Sequence, residues 1–154
     1  MSAAREARDT AHAIWHDAPV TTLPPETTAR PVILVAEDEE SVRRMIGLVL
    51  RAAGYDSVLC ADGLAAAERL EAGPSVDAVL MDLRMPRMGG MELVARIRQR
   101  PELRMLPVIA MSAYNDEVQE REAIAAGADA FLAKPFTIAD LQRLLGTVLA
   151  RLPR

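Results

Sequence analysis

The sequence predicts an α/β fold in which five parallel strands alternate with five helices. Five short strand-like runs recur along the chain, and four of them are apolar enough to be buried on both faces of a sheet. Between the runs lie longer stretches whose apolar residues recur at helical spacing. No segment repeats another. The pattern is therefore that of one domain built around one sheet.

The strands are predicted at residues 32–36, 56–60, 79–82, 108–111 and 131–133. The run at 56–60 begins with Asp56 and Ser57 and is the least apolar, so it suits an edge of the sheet. Pro86 follows the third strand and keeps the chain out of a helix at that point.

Helices are predicted at about residues 42–53, 64–71, 90–97, 116–126 and 138–149. Asp62 is placed to cap the second helix, and either Asn115 or Asp116 is placed to cap the fourth. Gly54 and Gly127 follow the first and fourth helices, where a glycine commonly ends a helix.

The fourth helix is the most polar of the five. Its sequence leaves Val118, Ile124 and Ala125 to hold it against the sheet. We therefore expect this helix to be among the least firmly anchored elements.

The composition fits one globular domain with some tail. The chain has 154 residues, of which 51% are hydrophobic and only 3% aromatic, so we expect an aliphatic core. The formal net charge of −4 gives no general attraction to nucleic acids or anionic lipids. Cys60 is the only cysteine, which excludes an intrachain disulfide. No apolar run approaches the ~18 residues that a membrane span requires, and we expect a cytoplasmic protein.

Three segments divide the chain. Residues 1–30 are an extension that ends in a linker rich in threonine and proline, residues 31–150 are the domain, and residues 151–154 are a short tail. Four residues of the extension would share one face of a short helix: Ala7, Ala11, Ile14 and Trp15. The extension is either disordered or docks on its own domain or a second copy, and we expect it to contribute to a homodimer. The tail is too short for a DNA-binding or enzymatic output domain.

Acidic residues follow two of the predicted strands. Glu37 and Asp38 come directly after the first strand, and Asp82 ends the third. If the two strands are neighbours, the three carboxylates converge at one corner of the sheet, where ligands of parallel sheets bind. Each like-charged pair at ~4 Å costs roughly 4 kcal/mol at an effective dielectric constant of 20. Either one acid is protonated, or a hard cation neutralises the group.

Two further strand ends supply groups that suit a phosphoryl group. Ser112 follows the fourth strand and offers a hydroxyl. Lys134 follows the fifth strand and offers an ammonium, which is a point charge suited to a phosphoryl oxygen. All of these groups are expected at the same edge of the sheet.

Together these strand ends resemble a known family, the receiver domain of two-component response regulators. Four motifs in the family's order carry the resemblance: Glu37-Asp38, Asp82 followed by Met85-Pro86, Ser112-Ala113, and Lys134-Pro135-Phe136. The resemblance covers roughly residues 31–149, and the chain looks like a stand-alone regulator of the chemotaxis kind. It implies the strand order 2-1-3-4-5 with helices on both faces, which is the flavodoxin-like arrangement.

The resemblance also implies a role for each site residue. Asp82 is the implied phosphoacceptor, and Lys134 and Ser112 hold the product. Mg²⁺ is the implied cofactor, bound by Asp38, Asp82 and the backbone carbonyl of Arg84, while the longer Glu37 acts through a bound water. The implied switch residues are Ser112 and Phe131, and the Lys134–Pro135 peptide bond is expected to be cis.

We therefore expect a phosphoacceptor that receives its phosphoryl group from a histidine kinase or a histidine phosphotransfer protein. It would signal to a downstream protein through the face made by the fourth helix, the last strand and the fifth helix. It would be no enzyme toward external substrates. One alternative is an aspartyl-phosphate phosphohydrolase, but Arg84 stands where such enzymes commonly place a second acid. The other is an interaction module that does not depend on phosphorylation.

Overall fold

The computed structural model describes residues 29–73, 75–113 and 116–151. The five strands are β1 (Val32–Ala36), β2 (Asp56–Cys60), β3 (Ala78–Asp82), β4 (Val108–Ala113) and β5 (Ala130–Lys134). The five helices are α1 (Glu40–Ala52), α2 (Gly63–Glu71), α3 (Gly90–Gln99), α4 (Glu117–Ala126) and α5 (Ile138–Ala150). A 3₁₀ helix at Pro101–Leu103 follows α3. The helix expected in the extension, the candidate cap Asn115 and most of the short tail lie outside the described residues.

The strands form one parallel sheet in the order β2-β1-β3-β4-β5. This order confirms the expected topology and the edge position of β2. In the register of the central strands, Ala36 lies opposite Met81, and Asp82 lies opposite Met111. The carboxyl ends of β1, β3 and β4 are therefore neighbours, so the residues that follow them share one edge of the sheet.

Alternate residues of the central strands point into two separate cores. On one face, Leu34, Val79 and Ala110 pack in a cluster with residues of α2 and α3. On the other face, Val35 and Leu80 pack in a cluster with residues of α1 and α5. Helices therefore cover both faces of the sheet. Such burial on both sides explains why these strands are almost uninterrupted runs of apolar residues.

The α4 helix is held by a different residue from those that we expected. Val118 and Ile124 are 56% and 45% exposed, and Ala125 is also exposed, so the expectation that these three anchor α4 is wrong. Ala123 is the only residue of α4 that is fully buried. A single methyl group buries little apolar area, so fully buried side chains contribute little to holding α4 against the sheet.

Side-chain caps begin two of the helices where the sequence predicted them. The Asp62 carboxylate accepts a hydrogen bond from the Ala65 amide at 2.8 Å, and Asp116 accepts one from the Gln119 amide at 3.0 Å. Gly127 ends α4 with a φ of 119°, a conformation that favours glycine. None of the helices in the described part of the chain has the length and apolar character that a bilayer crossing requires.

Candidate functional site

The carboxylates of Glu37, Asp38 and Asp82 come together at the carboxyl edge of the sheet, as predicted. One oxygen from each of the three lies within 4.8 Å of the others. The three differ in exposure. Glu37 is 2% exposed, Asp82 is half-buried and Asp38 is exposed. The exposure of the three acids therefore ranges from the buried Glu37 to Asp38, which is open to solvent.

Lys134 lies between two of these acids. Its Nζ donates to Glu37 Oε2 at 2.8 Å and also to Asp82 Oδ2. The Lys134 side chain is 25% exposed, and the Lys134–Pro135 bond is cis, as expected. The residue at the end of β5 is thus joined to residues at the ends of β1 and β3.

Burial and charge shift two pKa values in this group. Burial is the main reason that the pKa of Glu37 lies above its ordinary value, and the nearby Asp82 carboxylate also raises it, while Lys134 lowers it. Burial alone would lower the pKa of Lys134, but the hydrogen bonds and charges of Asp82 and Glu37 raise it above its ordinary value. Lys134 therefore keeps its positive charge beside the acids.

The loop between β3 and α3 closes over Asp82. The Arg84 amide donates to Asp82 Oδ1 at 2.9 Å, and the Gly90 amide donates to the Leu83 carbonyl at 3.0 Å. A Cβ atom at Gly90 would lie 2.7 Å from the Asp82 carbonyl oxygen. The glycine therefore lets α3 begin close against the strand end that carries Asp82.

An ion pair that no sequence pattern indicates holds the same loop. Arg87, in the left-handed region at a φ of 63°, donates from Nε to Asp62 Oδ2 at 2.7 Å. The backbone adds a hydrogen bond of 3.2 Å from the Gly63 amide to the Met88 carbonyl. The Ala65 amide that donates to Asp62 is the main reason that the pKa of Asp62 lies below its ordinary value, and Arg87 lowers it further.

Ser112 and Phe131 lie on the neighbouring strands β4 and β5. Ser112 is 5% exposed and bonds to the Gln119 side chain of α4. Phe131 is half-buried and packs against the core cluster on the face of α2 and α3. Gln119 did not appear among the predicted site residues, because a polar residue on a polar helix gives no sequence signal.

The donor atoms of the cluster suit a hard cation. The three side chains offer only carboxylate oxygens, and the Arg84 backbone lies next to them through its bond to Asp82. Oxygen ligands of this kind are those that Mg²⁺ and Ca²⁺ prefer. Three negative charges beside a single lysine also leave a net negative site. The residues present therefore fit a divalent cation.

Comparison with known proteins identifies the class of domain. The family model described as "Response regulator receiver domain" matches residues 33–146. Chemotaxis protein CheY-3 of Vibrio cholerae is 37% identical over 121 residues, which cover 78% of this chain and 92% of CheY-3. The phosphate regulon transcriptional regulatory protein PhoB of Rhizobium meliloti is 34% identical over 125 residues, which cover 79% of this chain but only 53% of PhoB.

A solved structure agrees with this relationship. The receiver domain of sensor histidine kinase PA1611 from Pseudomonas aeruginosa PAO1 superposes with a TM-score of 0.72 at 35% identity, covering 79% of this chain and 99% of that one. A magnesium ion is coordinated in the active site cleft of that domain. The fold, an acidic edge and the matching family model therefore define a receiver domain. The chain belongs to the response regulator receiver domain family.

Proposed function

We propose that this receiver domain accepts a phosphoryl group on Asp82 and signals through the resulting change of its surface. The observation that carries the proposal is the pairing of Asp82 with Lys134 at the end of a central strand, beside two further acids. A carboxylate in such a place is a nucleophile for phosphorus, and the adjacent ammonium suits the oxygens of the transferred group.

The transfer has a simple balance of bonds. An Asp82 oxygen forms the new bond to phosphorus, while the bond from phosphorus to the donor's imidazole nitrogen breaks and leaves its electron pair on the donor. The Lys134 ammonium then has a phosphoryl oxygen as a new partner in place of the Asp82 carboxylate. Ser112 contributes its hydroxyl to the product. These roles are supported by the position of each residue at the same sheet edge.

Magnesium is the cation that we assign to the acidic cluster. Asp38, Asp82 and the Arg84 carbonyl would bind it directly, and Glu37, which has the longer side chain and is buried, would act through a bound water. When bound, Mg²⁺ offsets negative charge on the transferring oxygens. The magnesium ion in the PA1611 receiver domain supports this choice of cation.

The proposed phosphodonor is a histidine kinase or a histidine phosphotransfer protein, and the proposed target is another protein. We assign no turnover of external substrates, since Arg84 occupies the position where a phosphohydrolase of this kind commonly has its second acid. The expected homodimer and the cytoplasmic location stay predictions.

A beryllofluoride titration tests the proposed function. Beryllofluoride mimics a phosphoryl group on a carboxylate, and its binding is followed by the amide resonances of the protein with Mg²⁺ present. We expect saturable shifts around Asp82, Ser112 and Lys134, and none of them in Asp82→Asn. Shifts that persist in Asp82→Asn would reject Asp82 as the acceptor.

A further inference from the structure

Gln119 lies where three parts of the site meet. With its amide oriented to satisfy its partners, its NH₂ group donates to the Ser112 hydroxyl and, at 3.2 Å, to Asp116 Oδ2. Its carbonyl oxygen accepts from Arg84 Nε at 3.2 Å and from the terminal Arg84 nitrogen at 3.1 Å. One amide thus joins the end of β4, the loop after Asp82 and the first turn of α4.

The Ser112 hydroxyl is bonded to Gln119 and not to Asp82. The carboxylate oxygens of Asp82 are engaged by the Arg84 amide and by Lys134. Within the described part of the chain, Ser112 makes no hydrogen bond to Asp82, and its side-chain partner is Gln119. A phosphoryl group on Asp82 would therefore gain the Ser112 hydroxyl only after that side chain rotates, and rotation breaks or strains the bond to Gln119.

The first turn of α4 depends on the same group of residues. Asp116 caps it, because Asp116 Oδ1 accepts a hydrogen bond from the Gln119 backbone amide at 3.0 Å. The terminal nitrogen of Arg84 lies 4.0 Å from Asp116 Oδ2. Since Ala123 is the only buried residue of α4, little apolar packing compensates when these polar contacts change. The start of α4 is therefore held largely by polar bonds that converge on Gln119.

We propose that Gln119 is a positioning residue that holds Ser112 in its unphosphorylated orientation and couples it to the first turn of α4. The proposal rests on the proposed function, because it assumes that Ser112 engages the group on Asp82. Phosphorylation exchanges the bond from Gln119 to Ser112 for one from Ser112 to the phosphoryl group. The freed Gln119 then loosens the first turn of α4 and changes the surface that a partner contacts.

The affinity for beryllofluoride tests the exchange. Gln119→Leu keeps the size of the side chain but removes its hydrogen bonds, so Ser112 turns without losing a partner. We expect the variant to bind beryllofluoride about three- to tenfold more tightly than the parent protein, which is the value of one neutral hydrogen bond. Gln142→Leu, at an exposed position of α5, is the matched control and should bind as the parent protein does.

A double-mutant cycle shows whether the effect passes through Ser112. In the Ser112→Ala background the hydroxyl is absent, so Gln119→Leu should no longer tighten binding. An equal gain in both backgrounds, no gain, or weaker binding by Gln119→Leu would overturn the proposal. If the parent protein itself fails to bind beryllofluoride, the proposed function fails instead, and the two failures are thereby distinguished.

Amide exchange gives a readout of the coupling to α4. The Glu120 amide donates to the Asp116 carbonyl at 3.0 Å in the first turn of α4. We expect beryllofluoride to speed exchange at Glu120 in the parent protein, and we expect the free Gln119→Leu protein to exchange at that faster rate already. Unchanged exchange at Glu120 in both proteins would overturn the coupling, even if the affinity changed.

Discussion

Lys134 shows how a single residue organises the charges of the site. Its ammonium bonds to the buried Glu37 and to the half-buried Asp82, and it thereby offsets part of the repulsion between the two acids. Asp38 has no such bond among the described residues. The three acids of the cluster thus differ in how free they are to bind a cation, although all three lie close together.

This difference predicts unequal effects on magnesium binding. Asp38→Asn should weaken Mg²⁺ binding at least about tenfold more than Glu37→Gln, because Asp38 is assigned to direct contact and Glu37 to contact through water. The measurement is a Mg²⁺ titration of both variants at one fixed pH. Each variant removes one charge without shortening the side chain, so equal losses of affinity would show that these assignments are wrong.

At the scale of elements, the start of α2 supports the loop that follows Asp82. The Gly63 amide donates to the Met88 carbonyl at 3.2 Å, and a Cβ atom at Gly63 would lie only 2.4 Å from that oxygen. Asp62 pairs with Arg87 beside this contact. Two backbone segments that are distant in sequence therefore approach each other at a point where only a glycine fits.

A pair of glycine substitutions tests this approach. Gly63→Ala should lower the free energy of unfolding by about 1–3 kcal/mol, because the added methyl group forces the loop and α2 apart. Gly146→Ala is the matched control in α5, where an added Cβ meets nothing within 4 Å. It should raise the free energy of unfolding by about 0.5–1 kcal/mol, because alanine is favoured over glycine inside a helix. Urea unfolding gives both values. A Gly63→Ala protein as stable as the parent would contradict the close contact.

The Asp62 carboxylate, which accepts from the Ala65 amide and pairs with Arg87, predicts a dependence of stability on pH. The pKa of Asp62 lies below its ordinary value of 3.8, so its carboxylate stabilises the fold above that value. The contribution is lost as the pH falls through the lowered pKa. Asp62→Asn keeps a capping side chain but removes the charge. The substitution should lower the free energy of unfolding by only about 1 kcal/mol at pH 7, because Arg87 is largely exposed and solvent screens the ion pair.

The pH profile of unfolding separates this effect from simple loss of packing. The difference in free energy of unfolding between the parent protein and Asp62→Asn should be constant near neutral pH and should shrink below about pH 4. A difference that stays the same down to the most acidic pH tested would show that the charge of Asp62 contributes nothing.

At the scale of the whole molecule, most of the architecture followed from the sequence. Apolar runs located the strands, and the weak run at 56–60 was correctly predicted as an edge strand. The order of the strands required the family resemblance, because the runs themselves do not indicate which strands are neighbours. Given that order, the meeting of Glu37, Asp38 and Asp82 followed from their positions at strand ends.

The contacts that were missed depend on three-dimensional packing. Asp62 and Arg87 lie 25 residues apart, and nothing in either local sequence indicates the other. Ala123 instead of Val118 faces the core, because the polar residues of α4 leave its apolar side poorly defined. Gln119 was overlooked for the same reason. Its role follows only from the positions of Ser112, Arg84 and Asp116 around it.

Self-association of the whole protein is predicted from the extension. Ile14 and Trp15 lie outside the described residues, and burying side chains of this kind is worth roughly 1.5–3 kcal/mol each. Sedimentation should show weaker association for a chain that begins at Ala29 than for the full chain, with and without beryllofluoride. Identical association constants would leave the extension without a part in assembly.

Covalent labelling tests the central claim most directly. The protein is incubated with acetyl phosphate and Mg²⁺, and its intact mass is compared with that of Asp82→Asn treated in the same way. The account predicts the mass of one added phosphoryl group on the parent protein, its loss when Mg²⁺ is chelated, and no addition to Asp82→Asn. Labelling of Asp82→Asn to the same extent as the parent protein would contradict the assignment of Asp82 as the phosphoacceptor.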